Sequence, residues 1–256
     1  NIQVIYVNGD SHCAGAEIIN DCAFAEDDSR FTALGRRPHP ENIPYTFGSK
    51  IASALNQPFF LDAESASSND RILRTTKQAI ADTKNKKDMF IIIGWSTFER
   101  VEWPYLDGYL QLTASGTDSV PEEFVDKYKT WVSKQTEKEL DKKTKLWHDK
   151  IYDFHLELRK ENIKHLFFNT YLYFDVIEEQ KDWHGQYLTP YSSDEVYYYW
   201  LRRQGYQTRN KGYHYGADAH NAFSIFLLDK IRKQYNIKTG LTDMPKRSIV
   251  NKVKKY

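Results

Sequence analysis

An apolar run, Ile2-Gln3-Val4-Ile5-Tyr6-Val7, stops at Asn8-Gly9-Asp10-Ser11-His12. A serine hydroxyl is a poor nucleophile until a neighbouring base takes its proton. Placed in the turn after a strand, Ser11 can also open a helix, where free backbone N–H groups favour negative charge. Gly9, Asp10 and Ser11 together can present a nucleophile and the first donor of an oxyanion hole. The same residue types also serve as plain helix caps, so both readings stand at this point. Two distant stretches bear on the choice: Ser65-Ala66-Ser67-Ser68-Asn69, and residues 213–223 with their two histidines, His214 and His220.

These groups have to be positioned by regular elements. Residues 2–7, 57–63, 89–93 and 163–169 read as short buried strands, apolar and rich in β-branched or aromatic residues. Between them, helical spacing runs over 43–56, over 69–85 with Asn69 as its cap, over 193–205 with a serine or aspartate start, and over 217–235. Residues 120–163 read as one long helix or two, and 98–120 as irregular and aromatic. Strands alternating with helices imply a parallel α/β sheet covered on both faces. Ligands in such sheets sit beyond the carboxyl ends of the strands. Three of those ends are small polar loops, 8–13, 62–69 and 94–97, so they are expected to converge.

The totals narrow the classes. A chain of 256 residues suffices for one large α/β domain or two small ones. A net charge of +1 gives no electrostatic case for nucleic acid. No apolar run approaches the roughly 20 residues of a membrane span. Only Cys13 and Cys22 occur, which argues against a disulfide scaffold and fits a cytoplasmic or otherwise reducing compartment. The chain does not begin with Met, which leaves room for a trimmed start and an upstream signal.

With the remaining loops in view, the sequence resembles the SGNH, or GDSL-type, hydrolase family. That family carries its nucleophile in a Gly-Asp-Ser turn after the first strand, matched here by Gly9, Asp10 and Ser11. Its second block holds a glycine whose N–H enters the oxyanion hole; here Ala66 or Ser67 has to supply that N–H. Its third block is a Gly-x-Asn loop, which here reads Gly94-Trp95-Ser96, leaving the hydroxyl of Ser96 or Thr97 in place of an amide. Its last block is a catalytic histidine with a second histidine six residues on, opening the last helix. His214 and His220 match that spacing, with His214 as base and His220 in support.

The family's acid lies three residues before that histidine, where this chain has Lys211 between Asn210 and Gly212. A backbone carbonyl, Asn210 or Asp218 would then orient His214. The resemblance spans about 2–235. It implies a three-layer α/β/α flavodoxin-like fold, a single hydrolase domain over 1–240 with a helical and aromatic insertion at about 98–162, and a basic tail at 241–256. It also implies a serine esterase acting through Ser11 and His214 beside Asp10. Ser11, Ala66, Ser67 and Ser96 are the oxyanion candidates, with His220, Asp218, Asn210, Thr97 and Asn69 as secondary positions. An acyl ester is the expected substrate, acetylated carbohydrate ahead of lipid, with no cofactor and no metal.

Other features carry less. Cys13 lies two residues from Ser11, but a reactive thiol needs a lowered pKa that no neighbour in sequence supplies. His148 and His155 are seven apart and lack a third ligand at metal spacing. Glu26-Asp27-Asp28 reads as a solvated loop. The rings in 98–110 and 183–200 fit core packing or a sugar-stacking wall. The competing classes are a catalytically silent carbohydrate-binding or structural module, and, behind it, a phosphate cradle at the Gly9–Gly15 loop.

Overall fold

A computed structural model of the protein describes residues 4–25, 36–115, 120–209 and 213–237. The acidic run at 26–28, Asn210 and the basic tail at 241–256 lie outside the described residues.

Strand β1 (Val4–Asn8) runs into a single helical turn, α1 (Ser11–Ala14), which stops at Gly15 with a left-handed φ of 74°. A 3-10 turn at Ile43–Tyr45 leads into α2 (Phe47–Ala54), followed by β2 (Phe59–Leu61), α3 (Asn69–Asp82) and β3 (Met89–Trp95). The chain continues through β4 (Val101–Tyr105), β5 (Gly108–Leu112), α4 (Val125–Ser133) and α5 (Glu137–Lys160). It ends in β6 (Lys164–Asn169), α6 (Tyr197–Arg203) and α7 (Ala217–Tyr235).

Four strands form one parallel sheet in the order β2-β1-β3-β6, flanked by helices. The period of two sorts the side chains onto opposite faces. Ile5, Val7, Phe90, Ile92, Leu166 and Phe168 pack against α2 and α7 through Phe47, Ile51, Phe223, Leu227 and Ile231. Tyr6, Ile91, Ile93 and Phe167 pack against α3 and α5 through Ile72, Ile151, Phe154 and Leu158. These helix residues recur at three- and four-residue spacing, which is why the apolar pattern alone located α7.

Where the loops meet, the ends of β1 and β3 leave room for the Cys13 side chain of α1 because no Cβ intervenes. A Cβ on Gly9 would stand 2.3 Å from Cys13 Sγ, and one on Gly94 would stand 2.4 Å from the same sulfur. Asn8 anchors the end of β1 to α3. Its amide donates to Thr75 Oγ1 at 2.8 Å and to Thr76 Oγ1 at 3.0 Å, while its Oδ1 accepts from the Gly9 N–H at 2.8 Å.

Within the stretch 98–120 expected to be irregular, residues 101–112 are regular. They hold an antiparallel hairpin, β4 paired with β5 through the two-residue loop Leu106-Asp107. Leu106 takes the positive φ, 48°, that such a turn demands at its first position, and Gly108 opens β5. Leu110 and Leu112 form a small separate core with Tyr128 of α4, joined by Trp103 and Trp131. Residues 120–163 divide into α4 and α5, with Thr136 capping the second by accepting from the Glu139 N–H. Ile151, Phe154 and Leu158 of α5 pack on the sheet. The start of α6 carries Val196 with no side-chain cap, not the expected serine or aspartate. Among the described residues no helix is long and apolar enough to cross a membrane.

Candidate active site

The three polar strand ends do meet. The Glu64 N–H donates to Gly9 O at 3.3 Å, joining the loop after β2 to the turn after β1. The loop after β3 is held to both: Ser96 Oγ donates to Asp10 Oδ2 at 2.9 Å, and the Ser96 N–H donates to Asn69 Oδ1 at 2.8 Å.

Ser11 is the first residue of α1. His214 stands just before α7, in a short antiparallel bridge that pairs Thr208 with Tyr215. The fold brings these two side chains together across 203 positions of sequence, with Ser11 Oγ and His214 Nε2 2.9 Å apart. On the other edge of the ring, His214 Nδ1 lies 2.6 Å from Glu17 Oε2. A carboxylate only accepts, so Nδ1 carries the proton and donates to Glu17. That tautomer leaves the Nε2 lone pair to accept from the Ser11 hydroxyl. Serine, imidazole and carboxylate are thus arranged as a bonded series in which the base is oriented by an acid.

Glu17 is the residue that sequence reasoning missed. The acid was sought next to His214, yet it lies six residues after Ser11, past the end of α1. Its backbone is left-handed at φ 60°, a conformation that costs a non-glycine residue roughly 1 kcal/mol. The signal available was a lone acid in the small apolar stretch Cys13-Ala14-Gly15-Ala16-Glu17-Ile18. That signal does not say which ring the acid will reach.

Several expected roles are corrected by the same geometry. Asp10 is a buried cap, not a partner of His214. Its Oδ1 accepts from the His12 N–H at 3.0 Å, and its Oδ2 accepts from Thr170 Oγ1 at 2.8 Å as well as from Ser96. Burial pushes the Asp10 carboxyl upward. The neighbouring His12 and Arg100 and the two hydroxyl donors outweigh that and hold it below the usual carboxylate range. Asp218 is exposed in the first turn of α7, and the Nδ1 it was expected to orient belongs to Glu17. His220 is a core residue. Its Nδ1 accepts from the Phe47 N–H at 3.2 Å and its Nε2 bonds Tyr197 Oη at 3.0 Å, with burial holding its pKa down at about 3.

Ser96 has its hydroxyl on Asp10 and its N–H on Asn69, so it has no donor left for an oxyanion. The Asn69 amide donates one of its two N–H groups to Ser96 O at 3.0 Å, and the cap of α3 is Ser68 instead. Thr97 Oγ1 donates to Glu99 at 2.9 Å. The Ser67 N–H donates to Glu64 O at 3.3 Å.

Two candidate oxyanion donors survive. The N–H groups of Ser11 and Ala66 meet no acceptor among the described residues. Ala66 has a left-handed backbone, φ 65°, where a glycine would sit without strain. Ala66→Gly is therefore expected to keep the donor and to raise stability by about 0.5–1 kcal/mol, the relief of the Cβ being partly offset by a freer unfolded chain. Urea unfolding checks this, and a destabilised variant would show that the turn does not need that conformation.

His12 packs beside the site, its ring centroid 5.3 Å from that of His214 and 5.3 Å from that of Tyr197. Burial holds it neutral, with a pKa of about 4. Cys13 is buried, and burial pushes its thiol well above the ordinary value, so it is no nucleophile at neutral pH. His148 and His155 share the buried face of α5. Trp183 and Tyr187 belong to the core on that side of the sheet, and Trp103 belongs to the hairpin's own core. No cluster of three or more metal-ligating side chains occurs among the described residues. Neither protein-family models nor curated protein sequences match the chain.

Proposed function

We propose that this protein is a serine esterase of SGNH type, built on a flavodoxin-like three-layer α/β/α sheet. The observation that carries the reading is the bonded series from Glu17 through His214 to Ser11. The sheet order β2-β1-β3-β6, with the serine directly after β1, supports the fold assignment. Ser11 Oγ attacks the ester carbonyl while His214 Nε2 takes its proton, and Glu17 stabilises the imidazolium. The N–H groups of Ser11 and Ala66 receive the oxyanion. His214 then returns the proton to the leaving alcohol, and water, activated by the same imidazole, releases the acid.

The substrate class we favour is a short acyl group, acetyl above all, on a carbohydrate. Half-buried Tyr171, Tyr198 and Tyr199 lie in mutual ring contact beyond β6, and their hydroxyl-bearing faces suit a sugar ring better than a lipid chain. The chain has only two cysteines, and the Cys13 thiol is buried, which favours a reducing compartment. The competing reading is a silent carbohydrate-binding module. What favours it is that Ser96 has both of its donors engaged, its N–H on Asn69 and its hydroxyl on Asp10, so the third loop offers no hydroxyl to the oxyanion.

A fluorophosphonate probe separates the two. We expect stoichiometric labelling of Ser11 in the native protein and none in Ser11→Ala. An unlabelled native protein would leave the binding module standing.

A further inference from the structure

The acid and the base of this site come from segments 197 positions apart, and one side chain joins them. Arg209 Nη1 donates to Glu17 O at 2.7 Å and to Asn20 O at 3.2 Å, while its own backbone N–H donates to His214 O at 2.8 Å. Its Nη2 stands 3.7 Å from Asp21 Oδ1. Arg209 thus grips the acid's loop with its guanidinium and the base's loop with its main chain.

We propose that Arg209 is a positioning residue for the esterase chemistry, holding Glu17 in register with His214. The inference rests on the reading of Ser11, His214 and Glu17 as the reacting set. Three points favour it over a generic surface bond. Glu17 has the left-handed backbone noted above, a conformation that needs outside support, and the guanidinium binds that residue's own carbonyl. A second tie, from the Glu17 N–H to Cys22 O at 2.9 Å, fixes the other side of the same residue but does not reach His214. The contact between acid and imidazole is short and directional, so a small slip of residue 17 breaks it. Both carbonyl bonds come from Nη1, and the rigid guanidinium fork fixes their direction because Nη2 faces Asp21 at the same time. A lysine ammonium has donors enough for the two carbonyls but no plane to hold their direction.

The experiment compares Arg209→Met, Arg209→Lys, Glu17→Gln and the double variant Arg209→Met/Glu17→Gln. For a p-nitrophenyl ester, Arg209→Met should lower kcat by up to about 10²-fold, the scale of a slight misplacement of catalytic groups, with KM little changed. Arg209→Lys should recover part of that loss. The double variant should be no slower than Glu17→Gln alone, because the arginine acts only through the acid. Multiplying losses would overturn the proposal, and so would full activity in Arg209→Met.

A readout independent of turnover is the strongly deshielded Nδ1 proton of His214 in NMR spectra. We expect it in the native protein and in Arg209→Lys, and its loss in Arg209→Met and in Glu17→Gln. If the native protein shows that proton yet hydrolyses no ester, the esterase reading fails while the clamp stands. If Arg209→Met keeps the proton, the clamp fails while the esterase reading stands. Should Arg209→Met not fold, Arg209→Lys decides alone: a resonance and kcat that both match the native protein would show the fork to be dispensable.

Discussion

Exchanging Glu17 for glutamine is expected to lower kcat for a short p-nitrophenyl ester by about 10³–10⁴-fold, with KM nearly unchanged. The size follows from what the carboxylate does. It accepts from Nδ1 at 2.6 Å and so forces the tautomer whose Nε2 can take the Ser11 proton. A glutamine side chain of the same shape can turn its NH₂ toward Nδ1, which moves the ring proton to Nε2 and leaves Ser11 without a base. The charge that stabilises the imidazolium in the transition state is lost as well. Asp218→Asn is the matched control, since Asp218 is exposed on α7 and makes no bond to His214. Its rate should stay within about twofold of native, as for a surface exchange. Near-native turnover in Glu17→Gln, or a collapse in Asp218→Asn, would return the acid's role to a residue near the histidine.

The second large effect is on stability in acid. His12, His165 and His220 are buried neutral, with pKa values of about 4, 4 and 3. Burial is the leading cause in each; the fixed charges of Arg100 near His12, Arg159 near His165 and Lys50 near His220 add to it, while Asp10 opposes it at His12. His148 and His155 are shifted in the same direction. In the unfolded chain these side chains titrate near 6.5. A depressed native value means that the unfolded state binds protons the native state does not. The stability is therefore complete above about pH 6.5 and is lost as the pH falls toward the native values.

Each fully buried group contributes a slope on the order of 1.4 kcal/mol per pH unit in that window, so the three together contribute about 4. A domain holds only about 5–15 kcal/mol in total. We expect cooperative loss of native tryptophan fluorescence and near-UV dichroism between pH 6 and about 4, and urea midpoints that fall steadily from pH 7 to 5. A stability flat across that interval would mean that the native state takes up these protons as readily as the unfolded chain.

The sequence was most legible where burial dictates it. The four strands and α7 came out within a few residues because runs such as Met89-Phe90-Ile91-Ile92-Ile93, and the spacing of Phe223, Leu227 and Ile231, allow little else. Convergence of the three polar loops followed from topology alone. The hairpin at 101–112 was missed, because abundant aromatic residues masked its alternation and its loop, Leu106-Asp107, carries no Asn-Gly or Asp-Gly pair at its centre.

Side-chain partners were a different matter. That Ser96 and Asn69 would satisfy each other, or that Asp10 would turn inward to Ser96 and Thr170, depends on competition among several hydroxyls and amides at one buried junction. Glu17 was hidden for a related reason. Its direction is set by a left-handed turn and by Arg209, which sits 192 positions away.

Placing the acid on the nucleophile's own loop separates the reacting set unevenly along the chain. Serine and carboxylate are six residues apart, while the imidazole arrives 197 positions after the carboxylate. On the proposed chemistry, a polypeptide emerging from the ribosome carries a blunt hydroxyl throughout the synthesis of those 197 positions. It becomes a hydrolase only when the segment around residue 214 docks, so half-made copies are harmless to any ester they meet.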